Sequence, residues 1–381
     1  MIRIGIFGYG YWGPNLARNF AETADCVVAG IADSRPERLA QALRRHPAAT
    51  VTTDLEQLLR DPGIDAIAIA TPVATHFDLA MRALAASKHV FVEKPVTTTS
   101  DEAAKLIDEA ARRHLTLMVD HTFLYTPAVR KIRELCDNGS LGSLYYYDAV
   151  RVNLGLFQHD INVIWDLAVH DLSIMDFLLS ESPCAVSATG VRHVADRGED
   201  IAYLTLFFPS SLIAHIHVNW LAPVKVRRTL IGGTDKMVVY DDVEASEKVK
   251  VYDKGITLSG DPAEQYQMRI SYRSGDAWAP HLDSREALSL EAAEFVRSIH
   301  TGTRPLSDGE SGLRIVKILE AASQSMKAQG APVPVQIEHR EKRGEIGDSI
   351  RRLESAILEH QDGDRRDSPA NAGEHAVHSR K

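Results

Sequence analysis

The chain opens on Ile2-Arg-Ile-Gly-Ile-Phe-Gly-Tyr-Gly-Tyr-Trp-Gly-Pro-Asn15, an apolar run that leads directly into three glycines. Gly8, Gly10 and Gly13 have the spacing G-x-G-x-x-G, which between a strand and a helix is typical of dinucleotide binding. Gly8 permits a tight turn, Gly10 lets the main chain approach a pyrophosphate, and Gly13 lets the next helix pack closely on the strand. Pro14 suits a first helical turn, whose free N–H groups would face the phosphates. The stretch therefore predicts a Rossmann nucleotide-binding domain.

The residue after the second strand indicates which dinucleotide to expect. Cys26–Ala32 reads as a strand, and Asp33 follows it, twenty residues after Gly13. A carboxylate at this position binds the free ribose of NAD and repels the 2′-phosphate of NADP. The alternative interpretation is that Asp33 is the N-cap of the next helix. Arg35 and Arg38 keep NADP as the less favoured cofactor, because a guanidinium group can bind phosphate.

Composition and charge describe an ordinary globular protein. The 381 residues suggest two domains, and 44% hydrophobic with 25% charged residues is usual for soluble folds. A net charge of -9 argues against nucleic-acid binding, which needs clustered Lys and Arg. No apolar run reaches the roughly 18 residues of a membrane helix and no signal peptide precedes the first strand, so we expect no membrane partner and a cytoplasmic location. Cys26, Cys136 and Cys184 are widely spaced, which favours buried, inert thiols over disulfides or a zinc site.

The patterning predicts an α/β domain followed by an α+β domain. Residues 1–121 alternate apolar runs with helical patterns, which indicates a doubly wound parallel sheet. Residues 122–337 indicate a substrate-binding and oligomerisation domain, with a large, mostly antiparallel sheet covered by helices on one face. Its expected strands are 144–152, 184–194, 201–208, 212–220 and 226–232, and its expected helices are 126–137, 163–179, 286–300 and 309–328, the last two free to pack on either domain. Residues 338–381 are charged with little apolar material, which predicts a partly disordered tail.

Further motifs add up to a family resemblance. They are Thr71-Pro72 with His76, the run Lys88-His-Val-Phe-Val-Glu-Lys-Pro95, and Asp166 with His170. Together with the glycines, they make residues 1 to about 330 resemble the Gfo/Idh/MocA oxidoreductase family. The resemblance implies that Lys94 points at nicotinamide and substrate, that the proline after it is commonly cis, and that His170 completes the site with Asp166. The predicted cofactor-binding residues are Gly8, Gly10, Tyr11, Trp12, Gly13, Asp33, Arg38, Thr71, Pro72, His76, Glu93 and Lys94. Of these, His76 fits a structural role better than a catalytic one.

The chemistry assigns roles to the predicted catalytic residues Lys94, His170 and Asp166. Oxidation of a secondary alcohol needs a base for the hydroxyl proton while hydride leaves the same carbon for nicotinamide. His170, with an ordinary pKa of about 6.5, is the expected base. Lys94 would stabilise the charge on the substrate oxygen, or act as the base if burial neutralises it. Asp166 lies four residues before His170, so it is expected to orient the imidazole and favour its protonated form, unless the two are an ordinary surface pair.

The substrate is expected to contact the segment between the strand at Arg151 and the helix of His170. The predicted substrate-binding residues are Tyr125, Arg151, Asn153, Gln158, Asp160, Trp165 and His170. Arg151 suits a phosphate or carboxylate, the amides and Asp160 suit sugar hydroxyls, and Trp165 suits a ring. A structural Arg151–Asp160 pair is the alternative. The segment is similar to that of family members acting on nucleotide-linked sugars, such as UDP-N-acetylglucosamine 3-dehydrogenases, although Val163-Ile164-Trp165 replaces the usual Gly-Gly before the helical acid.

The leading hypothesis is an NAD-dependent enzyme that oxidises a ring hydroxyl, preferably C3, of a nucleotide-linked amino sugar such as UDP-N-acetylglucosamine. Alternatives are an NADPH-dependent ketosugar reductase, a dehydrogenase of free sugars or inositols, and a non-catalytic dinucleotide-binding sensor or assembly subunit. No metal is expected, because His215 and His217 have no carboxylate or cysteine partner at a ligand spacing. An exposed face of the second sheet predicts a homodimer or homotetramer.

Overall fold

A computed structural model of the chain describes residues 1–155, 161–195, 198–258, 270–273 and 275–337. The strands are β1 Ile2–Phe7, β2 Cys26–Ala32, β3 Thr50–Thr52, β4 Ala66–Ile69, β5 His89–Glu93, β6 Leu117–Asp120, β7 Leu144–Val152, β8 Ala185–Val191, β9 Ile201–Phe207, β10 Ile213–Asn219, β11 Val226–Gly233, β12 Met237–Asp241, β13 Val249–Tyr252, β14 Gly255–Leu258, β15 Ile270–Arg273, β16 Ala277–Trp278 and β17 Val333–Pro334. The α-helices are α1 Gly13–Glu22, α2 Pro36–Arg45, α3 Leu55–Arg60, α4 His76–Ala85, α5 Ser100–Arg113, α6 Pro127–Asp137, α7 Val169–Leu178, α8 Ala287–Thr301 and α9 Gly309–Lys327.

The first sheet is parallel and has the strand order β3-β2-β1-β4-β5-β6. Its central strands are apolar on both faces, as expected for a sheet covered by helices on each side, and β4 is buried along its whole length. The order reverses between β1 and β4, where ligands of such sheets bind beyond the carboxyl ends of the strands. The predicted Rossmann domain is confirmed.

The second sheet is mixed and has the order β16-β13-β12-β11-β7-β10-β9-β8-β17. Its described pairs are antiparallel except β7 with β10, which run parallel. Burial alternates along β9 and β10, so that one face of each strand is covered and the other is open. Helices α7 and α9 lie against this sheet. The predicted large, mostly antiparallel sheet with helices on one face is confirmed.

The two helices whose packing was left open connect the two halves of the fold. Phe295 of α8 packs edge-on against Phe91 and Phe20, with ring centroids 5.5 and 6.1 Å apart. All three rings are fully buried, and each contributes about 2–3 kcal/mol by leaving water. Helix α9 lies between α5 of the first domain and β8 of the second. Because both helices touch the Rossmann layer, they can deliver side chains to its crevice.

The structure differs from the sequence-based prediction at one helix and at one cysteine. The predicted helix 163–179 begins as a π-helical turn, Ile164–Ala168, before α7; such turns are frequent at functional sites. Cys184 is exposed rather than buried, whereas Cys26 and Cys136 are half-buried. The predicted tail 338–381 lies outside the described residues, and the domain boundaries near residues 121 and 337 stay predictions. Among the described residues, no helix is long and apolar enough to cross a membrane.

Candidate active site

The glycine loop after β1 has the shape that a pyrophosphate requires. Gly8 has φ +90°, and a Cβ there would lie 2.5 Å from the carbonyl oxygen of Ala70. A Cβ on Gly13 would lie 2.1 Å from the carbonyl oxygen of Gly8, so α1 approaches the strand as closely as only glycine allows. Above Gly10 the space is open apart from one guanidinium nitrogen of Arg35, and α1 begins without a side-chain cap. In this first turn Pro14 has no N–H and the Asn15 N–H donates to the Trp12 carbonyl oxygen, so an anion would bind at the N–H groups of the loop before the helix, and the loop fits a dinucleotide.

Asp33 lies at the end of β2 and is buried. Its Oδ2 accepts a 2.7 Å hydrogen bond from the Tyr9 main-chain N–H, and its Oδ1 accepts from the Arg35 main chain and side chain at 2.9 and 3.0 Å. Burial opposes ionisation, but the hydrogen bonds from Arg35 and Tyr9 outweigh it and lower the pKa of Asp33. The N-cap of α2 is Arg35, so the alternative that Asp33 caps this helix is wrong. Asp33 instead holds the glycine loop at the position of a ribose-binding acid.

The other predicted cofactor residues line the same edge of the sheet with different exposures. Tyr11 is exposed, and Trp12 and Arg38 are partly so. The Thr71 hydroxyl hydrogen-bonds that of Thr75, and Pro72 beside it is exposed. His76 is buried, with its ring nitrogens each 2.9 Å from a carbonyl oxygen, of Pro95 and of Thr71. His76 thus fixes the loops after β4 and β5, which supports the structural role over cofactor contact.

Lys94 follows β5 and precedes a cis peptide bond to Pro95. Its Nζ donates to the main-chain oxygen of Asp166 at 2.8 Å and to the carboxylate Oδ1 at 3.1 Å. The second carboxylate oxygen accepts from the indole N–H of Trp220 at 3.1 Å. Both partners of the Lys94–Asp166 pair are mostly buried, with side chains 15% and 16% exposed. The ammonium group is therefore fixed by two acceptors and keeps a third proton for a ligand.

His170 is the neutral partner of this charged pair. Burial lowers the pKa of His170 well below its ordinary value, and the charges of Lys94 and Arg151 lower it further. Its Nδ1 has no hydrogen-bond partner among the described residues, and the ring packs edge-on against Phe123 at 5.0 Å. The expectation that Asp166 orients and protonates the imidazole is wrong: this carboxylate is taken by Lys94 and Trp220, and the cations around His170 favour the neutral ring.

The predicted substrate residues separate into structural and open positions. Arg151 is buried in a bidentate pair with Asp171, at 2.7 and 2.9 Å, and the alternative pair with Asp160 lies outside the described residues. Tyr125 is buried with its hydroxyl 3.1 Å from that of Ser307, so it belongs to the core and not to the substrate wall. The indole of partly buried Trp165 donates to the Ser323 hydroxyl at 3.0 Å, and Asn153 is partly exposed. Gln158 and Asp160 lie outside the described residues.

Sequence reasoning missed several residues that the fold brings to the crevice. Phe123 lies between His170 and two guanidinium groups, those of Arg151 at 4.5 Å and Arg227 at 5.6 Å from its ring. Asp120 ends β6 and accepts from the Trp12 indole N–H at 2.6 Å. Its position at a strand end was a usable signal, whereas the approach of Trp220 and Arg227 depends on tertiary structure. Within the described residues, no group of three or more His, Cys, Asp or Glu is placed to hold a metal ion.

This combination of a dinucleotide crevice with a fixed ammonium group and a neutral imidazole defines a class of protein, the nicotinamide-dependent dehydrogenases. Comparison with known proteins gives the particular family. A model of the GFO/IDH/MocA oxidoreductase family, described as an NAD-binding Rossmann fold, matches residues 2–121, and a model of the GFO/IDH/MocA C-terminal domain matches residues 129–239. The chain belongs to the GFO/IDH/MocA oxidoreductases and is an NAD(P)-dependent dehydrogenase acting on CH–OH groups.

Individual relatives cover almost the whole fold. A UDP-N-acetylglucosamine 3-dehydrogenase from Acidithiobacillus ferrooxidans is 29% identical over 83% of this chain and 94% of its own length. A solved structure of that enzyme superimposes with a TM-score of 0.71 at 28% identity, covering 86% of this chain and 98% of that one. A myo-inositol 2-dehydrogenase from Thermotoga maritima is 23% identical over 86% of this chain and 96% of its own length. The relatives are thus dehydrogenases of sugars and inositols.

Proposed function

We propose that this dehydrogenase uses NAD to oxidise the C3 hydroxyl of a nucleotide-linked amino sugar such as UDP-N-acetylglucosamine, giving the 3-keto sugar and NADH. The observation that carries the reaction is the ammonium group of Lys94, held by Asp166 beside the neutral ring of His170. The choice of substrate is supported by the similarity to a UDP-N-acetylglucosamine 3-dehydrogenase along nearly that enzyme's whole length.

In this proposal His170 and Lys94 act on the same substrate oxygen, and Asp166 holds Lys94 in place. When bound, the nicotinamide ring supplies the hydride acceptor. His170 is neutral near neutral pH because its pKa is lowered, so it can accept the hydroxyl proton without first losing one of its own. Lys94 donates its remaining N–H to the same oxygen and stabilises the negative charge that develops there. Asp166 holds the ammonium group in position through two hydrogen bonds.

Cofactor choice follows from Asp33. Its buried carboxylate stands where a ribose diol would donate, and a 2′-phosphate would meet its negative charge. The Arg35 side chain, bound to the same carboxylate and 49% exposed, would have to swing away to pair with such a phosphate. The proposal is therefore NAD as the preferred cofactor.

The experiment is to follow NADH or NADPH absorbance with the purified chain, each oxidised cofactor, and a panel of UDP-, dTDP- and GDP-sugars beside free sugars and inositols. The proposal expects NADH formation with UDP-N-acetylglucosamine. Turnover of inositols or free sugars alone would refute the substrate and keep the dehydrogenase. If no substrate turns over and neither cofactor binds, the catalytic assignment itself fails.

The proposal includes a homo-oligomer in the cytoplasm. On the open face of the second sheet, Tyr203, Phe207 and Ile213 are each more than a third exposed. The ring of Tyr203 also stacks on that of His217, 4.3 Å away. Exposed apolar side chains on an open sheet face favour a second copy of the chain as their cover. Light scattering of the wild type and of Tyr203→Lys tests this, since the variant should lower the mass if this face is the contact.

A further inference from the structure

Three carboxyl groups meet at the end of the first sheet, on strands β5 and β6 and on helix α8. Glu93 and Asp120 are paired residues of the parallel strands β5 and β6, so their side chains are neighbours. Glu291 lies near them on α8, a helix that follows strand β16 of the second sheet in sequence. Asp120 and Glu291 are buried, whereas Glu93 is partly exposed. We call these three residues the carboxyl cluster.

Hydrogen bonding distinguishes Asp120, which has two donors, from Glu291, which has none among the described residues. Asp120 accepts from the Trp12 indole at 2.6 Å and from the Thr122 hydroxyl at 2.5 Å. Neither carboxyl oxygen of Glu291 meets a donor group among the described residues, and the nearby Asp120 raises the pKa of Glu291. Two carboxyl groups can hydrogen-bond only when one of them holds a proton. A buried Glu291 carboxyl without a donor therefore favours the form that holds a proton, which it can donate to Asp120.

The surrounding charges favour that state. Burial raises the pKa of Glu291 well above its ordinary value, and the charges of Asp120, Glu93 and Glu294 raise it further. Burial and the negative charge of Asp120 likewise raise the pKa of Glu93. The positive charge of Lys94 offsets part of this rise. Glu294, one turn along α8, faces Arg130 and accepts from the Leu306 N–H instead.

The position of the cluster links it to the cofactor. Asp33, on β2, marks the half of the sheet that holds the adenosine end of a dinucleotide, so the nicotinamide end belongs over β4, β5 and β6. The cluster lies at the ends of β5 and β6, next to Lys94, and Trp12 of the glycine loop donates to it. An oxidised nicotinamide ring carries a positive charge and a reduced ring carries none. A positive charge nearby favours ionised carboxyl groups.

We propose that Glu93, Asp120 and Glu291 form a proton-sharing cluster whose charge follows that of the nicotinamide ring, so that the oxidised cofactor binds with release of a proton and the reduced cofactor binds without it. This inference rests on the proposed NAD-dependent function. Glu291, which lies far from the glycine motif in sequence, thereby helps to set the charge of the cluster near the ring. We also predict that NAD binding tightens with rising pH more steeply than NADH binding.

The test is calorimetric titration of the full chain with NAD and with NADH, each in phosphate and in Tris, because the difference in heat between buffers counts protons. The wild type should release on the order of half a proton more with NAD than with NADH near the midpoint of the cluster. Glu291→Gln should remove this difference while still binding NADH, and Glu93→Gln should reduce it. Glu286→Gln is the control, a carboxyl just before the same helix that is paired with Arg18 instead of the cluster, and should keep it.

Equal proton counts for the two cofactors in the wild type would overturn the inference and leave the proposed function intact. So would a difference that survives in Glu291→Gln and Glu93→Gln, because a group outside the cluster, such as His170 or the buried His121 next to Asp120, would then be its source. If Glu291→Gln does not fold, the proton counts of the wild type and of Glu93→Gln decide whether the inference holds. Failure of the wild type to bind either cofactor would instead refute the proposed function.

Discussion

Replacing Lys94 with Met removes the ammonium group and keeps the length of the side chain. The variant loses the donor to the substrate oxygen, an effect worth about 3–4 kcal/mol for a donor aimed at a developing oxyanion, or roughly 100- to 1,000-fold in kcat. It also leaves Asp166 with the hydrogen bond from the Trp220 indole but without its cationic partner. Because this carboxylate is only 16% exposed, we expect unfolding to become easier by about 3 kcal/mol, at the low end for a broken buried pair.

The assay separates these two losses. Turnover is followed by NADH absorbance, NADH binding by fluorescence, and unfolding by denaturant titration. Lys94→Met/Asp166→Asn should recover much of the stability, since no unpaired charge remains, without recovering turnover. Lys105→Met, at an exposed position on α5, is the control and should change neither. Turnover close to wild type in a Lys94→Met protein that binds NADH would refute the catalytic role of the ammonium group.

Three further predictions concern cofactor choice and pH. Asp33→Asn should raise the ratio of NADP to NAD activity, because it removes the charge that repels a 2′-phosphate; steady-state rates with both cofactors check this, and an unchanged ratio contradicts it. The acid limb of kcat/KM for oxidation should lie below pH about 6.5, because the lowered pKa of His170 keeps the base neutral there; a limb at the ordinary histidine value would contradict it. Burial lowers the pKa of His121 to about 4, so the folded protein binds fewer protons than the unfolded chain and loses stability as pH falls. That loss should reach about 3 kcal/mol between the ordinary histidine pKa and this value, and His121→Gln should flatten the slope in denaturant titrations at several pH values.

Much of the fold was readable because the local patterns agree with the tertiary structure. The segments Cys26–Ala32 and Leu144–Val152 are strands with the predicted bounds. These two predictions are correct because a continuous apolar run, or a regular alternation of apolar and polar residues, leaves few other ways to bury the same side chains. Short elements such as β3 and α3 were not predicted, since three to six residues carry too little periodicity to separate from loops.

The sequence predicted which residues form the site better than it predicted the contacts between them. Local helical spacing suggested that Asp166 would serve His170, but Lys94, which is distant in sequence, took the carboxylate. Arg151 likewise pairs with Asp171. Glu291 did carry a signal, because it shares the apolar spacing of Leu288 and Phe295 on α8, and a carboxyl in such a stripe is expected to be buried. Side-chain partners of this kind are set by the packing of separate elements, which no single segment encodes.

The two indole groups explain how carboxylates can surround Lys94 without adding further cations. Trp12 donates to Asp120, and Trp220 donates to Asp166. An indole N–H satisfies a buried carboxylate but brings no positive charge, unlike a guanidinium group. Lys94, Arg151 and Arg227 therefore supply the positive potential near His170, while the indole groups satisfy the carboxylates without adding to it. A site built in this way can stabilise charge on the substrate oxygen and still accept a positively charged ring beside the carboxyl cluster.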